Sequence, residues 1–492
     1  MHLYAALGQA TERLCVSWPV ADLSGAELRP AFVVGRLRRL FPAVAVEMQT
    51  DERRLLAAPV PALEEAGKRG KGSLWAYFAA DEGLRDRLAA MERARTMERG
   101  RLSPAAVRTL YGEQIRMSAS RMDQLNSCHF AFFMQYGLKA RERRKAGLDA
   151  PEIGTFLHYL LENTAREAKL RGGFQNLSEE ELHGLIAGYI DCFARENLGG
   201  LKDKSARFRY LFGRLKKTAY AIVDNVAAEL AVSDFVPMAF ELEFGGAGRL
   251  PAVSISAGGA QLRVSGKVDR VDGWLKDGKL YLRVVDYKTG KKKFDLAEIL
   301  HGVGVQMLLY LFTLQRAGGS ALGAEGAEIV PAGVEYLPAR DVILTMDRNA
   351  GDAEITAAMK KELKRSGMFL NNAEVLEAME HGAAEGPCFL PLSIKKDGTI
   401  TEGVATAAQL GKLSRYVDHL LEQIAAEMER GNIDADPNYR SESKNACAYC
   451  AFASACHFEE GRGSDRREYI ASVKEQEFWE ELDRLCAEKG EG

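Results

Sequence analysis

The sequence has no run of apolar residues long enough to span a bilayer, so a helical membrane protein is excluded. It has no basic leader: Met1-His2-Leu3-Tyr4-Ala5-Ala6-Leu7 reaches Glu12 and Arg13 quickly, so no secretory signal is expected and the protein is expected to be cytoplasmic. It lacks a G-x-x-x-x-G-K-[ST] loop, which removes any basis for ATP hydrolysis by this chain. Internal repeats are absent, and charge is nearly balanced, with a formal net charge of -3 and a pI near 6.3. That balance does not advertise a nucleic-acid binder, yet an acidic protein can bind a phosphate backbone where its positive charge is concentrated. What is present is a chain of 492 residues with 47% hydrophobic content, enough to bury a sizeable core in two or three structural units.

The most informative stretch is Gly266-Lys267-Val268-Asp269-Arg270-Val271-Asp272, followed by Val284-Val285-Asp286-Tyr287-Lys288-Thr289-Gly290. Both read as strands, because valine and leucine alternate with polar residues and Asp277-Gly278 between them is a strong turn signal. Side chains repeat every second residue along a strand, so Asp286 and Lys288 emerge on one face. Two acids beside a lysine are costly to place together unless a divalent cation and a phosphate are expected there. That arrangement can cut a phosphodiester. Upstream, Gly154 to Glu162 follows a helical pattern in which Phe156, Leu157, Leu160 and Leu161 form one buried stripe. His158 and Glu162, four residues apart, share the adjacent face, although Glu162 could pair with Arg166 instead. Downstream, Gln306 and Tyr310 stand one helical turn apart in Gln306-Met307-Leu308-Leu309-Tyr310.

In this order, GxxxHxxxE, an aspartate strand, a D-Y-K strand and QxxxY, the chain resembles the RecB-type branch of the PD-(D/E)XK nuclease superfamily. The resemblance implies an α/β fold: a restriction-endonuclease-like core with a central mixed sheet flanked by helices and a large helical insertion. Asp269 and Asp286, with His158, are then expected to bind one or two Mg2+ ions, assisted by the carbonyl of Tyr287. Mn2+ is a plausible substitute because of the histidine. Lys288 is expected to position the attacking water or neutralise charge at the phosphate. Gln306 and Tyr310 are expected to orient the strand or support the metal ligands.

Cysteine forms a second constellation. Cys447-Ala448-Tyr449-Cys450 and Cys456 give C-x2-C-x5-C, and Cys128 stands far upstream. Tightly spaced cysteines without a secretory context suggest metal before disulfide. By chemistry alone, four thiolates fit a structural zinc or an iron-sulfur cluster, and His129 and His457 are alternative zinc ligands. The resemblance implies a [4Fe-4S] cluster on Cys128, Cys447, Cys450 and Cys456, because iron-sulfur members of the branch place one cysteine before the nuclease core and three after it. Such a cluster would join the two ends of the domain. Cys15, Cys192, Cys388 and Cys486 read as ordinary free thiols.

Three basic segments could track a nucleic-acid backbone: Lys139 to Lys145, Arg207 to Lys217 and Lys288 to Lys293. The second interleaves aromatics with bases, which suits single strands, and the third continues directly from the D-Y-K strand. Residues 1–50 are different in kind. Tyr4 to Trp18 resembles the last motif of superfamily 1 helicases, with Gln9 and Thr11 in place of its two arginines, so this copy looks inactive. Residues 51–115 read as a helical connector with a stripe around Leu74, Trp75, Tyr77 and Phe78, residues 116–462 as the iron-sulfur nuclease domain, and 463–492 as a helical tail. Gly318 to Gly326 reads as a flexible surface loop, and helices are expected at about 404–430 and 469–485.

A degenerate helicase tail followed by an iron-sulfur nuclease resembles the C-terminal portion of AddB-like proteins, the second subunits of bacterial AddAB helicase-nucleases. The resemblance implies a Mg2+-dependent DNA exonuclease that processes double-strand breaks for homologous recombination and degrades the 5'-ended strand. Its partners would be single-stranded DNA ends from unwound duplex and an AddA-type helicase-nuclease subunit as heterodimer partner. The alternatives are a free-standing iron-sulfur nuclease of CRISPR or phage type, or a non-catalytic DNA-holding subunit.

Overall fold

The computed structural model describes all residues except 1, 22–25, 47–55, 97, 142–149, 246, 247, 249, 258, 259, 341, 343, 348, 396–398 and 488–492. The chain divides into two compact units, Met1–Met97 and Glu98–Gly492. In the first, helices Pro59–Arg69, Ser73–Ala79 and Arg85–Thr96 enclose a small core of Ala62, Leu63, Ala66, Phe78 and Leu88. Leu74 and Trp75 lie against that core, whereas Tyr77 faces out.

The second unit begins its main architecture with three long helices, α1 (Ala150–Leu170), α2 (Glu179–Leu198) and α3 (Ala206–Ala231). Their boundaries follow from side-chain chemistry. Ser178 and Glu181 form a capping box at the start of α2, Gly199 ends it in a left-handed conformation, and Ser205 Oγ accepts the Phe208 amide at the start of α3. The three helices pack through Phe156, Leu157, Leu160, Ile186, Phe193, Phe212 and Val223.

A six-stranded mixed sheet follows, comprising β1 (Val236–Phe244), β2 (Gly266–Lys276), β3 (Lys279–Lys288), β4 (Glu328–Pro338), β5 (Ser366–Leu370) and β6 (Val404–Ala405). Their spatial order is β6-β5-β4-β3-β2-β1. The pairs β1–β2, β2–β3 and β4–β5 are antiparallel, and β3–β4 and β5–β6 are parallel. At the β2–β3 hairpin, Asp277 and Gly278 both adopt positive φ, 50° and 75°, as a two-residue type I′ turn requires. The parallel β3–β4 pair needs a crossover, which helix α4 (Gln306–Ala317) supplies. Helix α5 (Ala407–Arg430), capped by Thr406 and Gln409, joins α4 on the same side of the sheet.

Helices therefore cover both faces. Val271, Leu282 and Val284 point into the cluster with α4 and α5, while Val285, Tyr287 and Leu337 point into the cluster with α1 to α3. On the α3 side lies a fully buried charge network. Arg283 donates to Asp272 (2.8 Å) and Glu335 (3.0 Å) and pairs with Glu229 of α3 (3.1 Å); Arg270 donates to Asp272 (2.9 Å) and Arg365 pairs with Glu229. Three arginines face three carboxylates, so the charges balance when all are ionised, which is the condition for tolerating them in an apolar interior.

Three smaller sheets accompany the six-stranded one among the described residues, one of them the two-stranded pair Ser393–Ile394 and Ile400–Glu402. Gln114–Met117 pairs with Ala260–Val264, which pairs in turn with Val253–Ala257. Asn438–Ser441 pairs with Lys444–Asn445 and Glu468–Tyr469. The last pairing corrects the expected tail helix: Tyr469 is a strand residue packed edge-on to Tyr439, and the helix starts only at Glu475. Gly318 to Gly326 is likewise more ordered than its composition suggests. Leu322 is buried, and the Leu322 and Ala324 amides bond back to Gly318 and Gly319. Among the described residues, no helix is long and apolar enough to cross a membrane.

Candidate active site

Five elements, α1, β1, β2, β3 and α4, converge at one end of the sheet. The apolar stripe of α1 is buried against α2 and α3, which leaves His158 on the flank facing β1 and β2. Its Nδ1 lies 3.6 Å from Asp269 Oδ1 on β2. Strand β2 pairs with β3 in the register Arg270↔Val285, and one residue further that register sets Asp269 opposite Asp286. Asp269 Oδ2 accepts the Tyr287 amide at 2.9 Å, which holds its carboxylate across the strand pair. Asp286 Oδ2 lies 2.5 Å from Lys288 Nζ. Gln306, the first residue of α4, donates to Asp286 Oδ1 (3.5 Å) and to the Tyr310 hydroxyl (3.2 Å).

Tyr310 reaches this position because Gly266 has no side chain. A Cβ there would stand 2.7 Å from both the Tyr310 and Phe244 rings. Of the sequence-predicted residues, His158, Asp269, Asp286, Lys288, Gln306 and Tyr310 therefore share one site. Glu162 does not join them: it pairs with Arg166 on the surface of α1, at 2.7 Å.

One residue of the site escaped the sequence reading. Glu241 Oε1 of β1 lies 3.5 Å from His158 Nδ1, and its Oε2 pairs with Lys267. The ligand atoms of His158, Glu241 and Asp269 all lie within 4.8 Å of one another, the one such group of three or more among the described residues. In sequence, Phe240-Glu241-Leu242-Glu243-Phe244 alternates regularly, so both glutamates read as the solvated face of a strand. The structure breaks that alternation. Glu241 has φ 49°, a left-handed conformation that costs a non-glycine residue about 1–3 kcal/mol. As a result Phe240 packs with the helices α1 to α3, while Leu242 and Phe244 pack on the opposite side of the sheet.

The electrostatics are those of a site short of positive charge. Burial, then the negative charge of Asp286, push Asp269 up to about 7. Burial also raises Asp286, against the opposing pull of Lys288. For His158 burial favours the neutral ring, but Glu241, Asp269 and Asp286 outweigh it and hold the imidazole above its ordinary value. Burial pushes Tyr310 up to about 12, so it stays a neutral hydroxyl. Two buried carboxylates that resist joint ionisation, beside an imidazole, are a donor set that a divalent cation would relieve.

The sequence matches the PD-(D/E)XK nuclease superfamily over residues 116–457. The chain belongs to that superfamily. Over 99% of its length it is also 33% identical to the B-type component of an ATP-dependent helicase/deoxyribonuclease of Caldanaerobacter subterraneus subsp. tengcongensis and 30% identical to its counterpart in Thermoanaerobacter sp.. Over 98% of its length it is 28% identical to the counterpart in Ruminiclostridium cellulolyticum. In each case it spans 44% of the relative's length. For a PD-(D/E)XK nuclease, the mixed sheet with its acid-bearing hairpin is the expected scaffold, and the site stands on strands and helices rather than on loops.

Cys128, Cys447, Cys450 and Cys456 lie elsewhere in the second unit. Cys128 is buried at the end of helix Ala119–Ser127, and burial pushes its thiol up to about 12. Burial raises Cys447 and Cys456 as well, each reinforced by neighbouring thiols. Cys128 feels the charge of Cys456, and Cys447 and Cys456 each feel that of Cys450. The four do not draw together to within 4.8 Å, and neither His129 nor His457 closes a group with them at that distance, among the described residues. His129 is instead engaged by Asp436, with Nδ1 2.7 Å from Oδ2. Arg99 clasps the two cysteine-bearing ends: it donates to both oxygens of Asp465 (2.7 and 2.9 Å) and to the Cys456 carbonyl (2.9 Å), and lies over the Phe130 ring. Cys15, Cys192 and Cys388 are free thiols, and the side chain of Cys486 lies outside the described residues.

The basic segments fare unequally. Of Lys139 to Lys145, residues 142–145 lie outside the described residues. On α3, Arg207, Arg209 and Tyr210 are exposed, but Phe212 belongs to the core and cannot stack on a base. Beyond Lys288, Lys291 pairs with Glu362 and Lys292 with Glu298, which leaves Lys293 as the exposed lysine of that run without an ion pair among the described residues.

Proposed function

We propose that this chain is the nuclease-bearing portion of an AddB-like protein, a metal-dependent DNA exonuclease that processes double-strand breaks in the cytoplasm for homologous recombination. The observation that carries the reading is the meeting of Asp269, Asp286, Lys288 and His158 at one end of the β2–β3 hairpin. Similarity to B-type helicase/deoxyribonuclease components over nearly the whole chain supports it.

The donor set fits Mg2+, with Mn2+ as a substitute: His158, Asp269 and Asp286 would hold it, and the Tyr287 carbonyl lies on the same strand as Asp286. When bound, the ion would polarise the scissile phosphate and make its water more acidic. Lys288 would hold the attacking water or offset charge gathering on the phosphate oxygens, from a position already fixed by Asp286. Gln306 would keep Asp286 in place from behind while Tyr310 anchors Gln306, so the carboxylate does not swing away from the metal. The substrate would be the 5'-ended strand of unwound DNA, presented by an AddA-type helicase-nuclease partner. Exposed Arg207, Arg209 and Tyr210 on α3 suit single-strand contact.

Cys128, Cys447, Cys450 and Cys456 would hold a [4Fe-4S] cluster with a structural role. The Arg99 clasp supports that fit, since it joins Cys456 and Asp465 to Phe130, two residues from Cys128. A tetrahedral zinc site would draw its sulfurs to about 3.8 Å of one another, whereas a four-iron cube spreads them more widely. The test is incubation of anaerobically purified chain, with and without an AddA-type partner, with end-labelled linear DNA and Mg2+, beside Lys288→Ala. Cleavage that the variant lacks supports a working nuclease. No cleavage with the partner present, from cluster-bearing protein, would favour a DNA-holding role.

A further inference from the structure

We propose that Glu241 is a direct ligand of the catalytic divalent metal, so that strand β1 supplies a donor beside His158, Asp269 and Asp286. The inference rests on the metal-dependent reading above and adds a residue that none of the four motif elements contains.

Pairs Phe240↔Arg270 and Leu242↔Val268 flank Glu241, and the same register sets it opposite Asp269 on the neighbouring strand. Its left-handed backbone switches the faces of β1 at this residue, and the switch turns its carboxylate toward α1 instead of outward with Glu243. Glu241 Oε1 and Asp269 Oδ1 stand 3.5 and 3.6 Å from the same His158 nitrogen. Around an octahedral ion with donor distances of about 2.0–2.1 Å, neighbouring donors lie about 2.9 Å apart and opposite ones about 4.2 Å. The observed separations lie between those two values, within several tenths of an ångström of either. Two oxygens and one imidazole nitrogen form a mixed set suited to Mg2+ or Mn2+.

The rival role is a structural counter-ion for His158 and Lys267. In that role the charge of Glu241 matters to folding, and its reach to a metal does not. Lys267 occupies the second oxygen, Oε2, so one oxygen remains directed at His158.

The test measures Mn2+ affinity of the full chain by calorimetry and by electron paramagnetic resonance, with melting temperature recorded alongside. Glu241→Gln is expected to weaken Mn2+ binding at least tenfold, and Glu243→Gln, on the exposed side of the same strand, to change it less than twofold. Glu241→Asp guards against misfolding: it keeps the charge but withdraws the donor by one methylene, and is expected to weaken binding at least threefold. Mn2+ affinity within twofold of wild type in Glu241→Gln, or in Glu241→Asp if the first is unfolded, overturns the proposal and leaves the metal-dependent reading standing. Absence of saturable Mn2+ binding by wild type overturns both.

Discussion

Lys288 Nζ lies 2.5 Å from Asp286 Oδ2, two residues back along the same strand, so the charge proposed to serve a phosphate also opposes the burial that would protonate its neighbour. Removing either group should abolish cleavage while leaving the fold intact. Lys288→Ala is expected to lower turnover by at least about 10²–10³-fold, the scale for loss of a preorganised charge at a developing anion. Comparable melting together with retained cleavage would reject the assignment.

Asp269 makes stability depend on pH in an unusual direction. Its native value is pushed up to about 7 from 3.8, so the folded chain keeps a proton that the unfolded chain releases. That contribution is fully present below pH 4 and lost as pH rises through 7. In EDTA, wild type should therefore lose about 2–4 kcal/mol of stability to this group between those limits, and Asp269→Asn should lose much less. Denaturant midpoints measured at pH 5 and pH 7.5 decide it; parallel changes in the two proteins would contradict the assignment.

Cys450→Ala should remove the visible absorbance of anaerobically purified protein and lower its stability. Iron content should fall from about four atoms per chain to well under that. Elemental analysis distinguishes this from zinc, and unchanged metal content would rule out Cys450 as a ligand.

Arg283 binds Asp272, Glu229 and Glu335 in the buried interior. Arg283→Met should destabilise the protein by about 3–5 kcal/mol, because it leaves buried carboxylates uncompensated rather than because the pairs were strongly favourable. A calorimetric melt tests this, and a loss below about 1 kcal/mol would show that the network relaxes or takes up water.

Gly266→Ala should cost about 1–3 kcal/mol through overpacking against Phe244 and Tyr310. Because Tyr310 anchors Gln306, cleavage should fall more than stability alone explains. A normal rate at a temperature where the variant is fully folded would uncouple the two.

The sequence by itself determined the elements that obey a local rule. The stripe of Phe156, Leu157, Leu160 and Leu161 announces α1, and Asp277-Gly278 demands the turn between β2 and β3, since each signal needs only neighbouring residues. The spacing of Asp286 and Lys288 places both on one face for the same reason. Local patterns could not disclose Glu241, because its regular alternation with Phe240 and Leu242 is contradicted by one backbone angle, at which those two neighbours enter different core clusters. Nor could they separate Phe212, which the helix cluster buries, from Tyr210, which it leaves exposed, within one aromatic and basic run. Tyr469 sits in a strand because Tyr439, about thirty residues earlier, offers it a pairing partner. Where a residue's fate depends on what lies across the fold, tertiary structure decided it, since burial and distant hydrogen bonds outweigh the few tenths of a kcal/mol that separate local preferences.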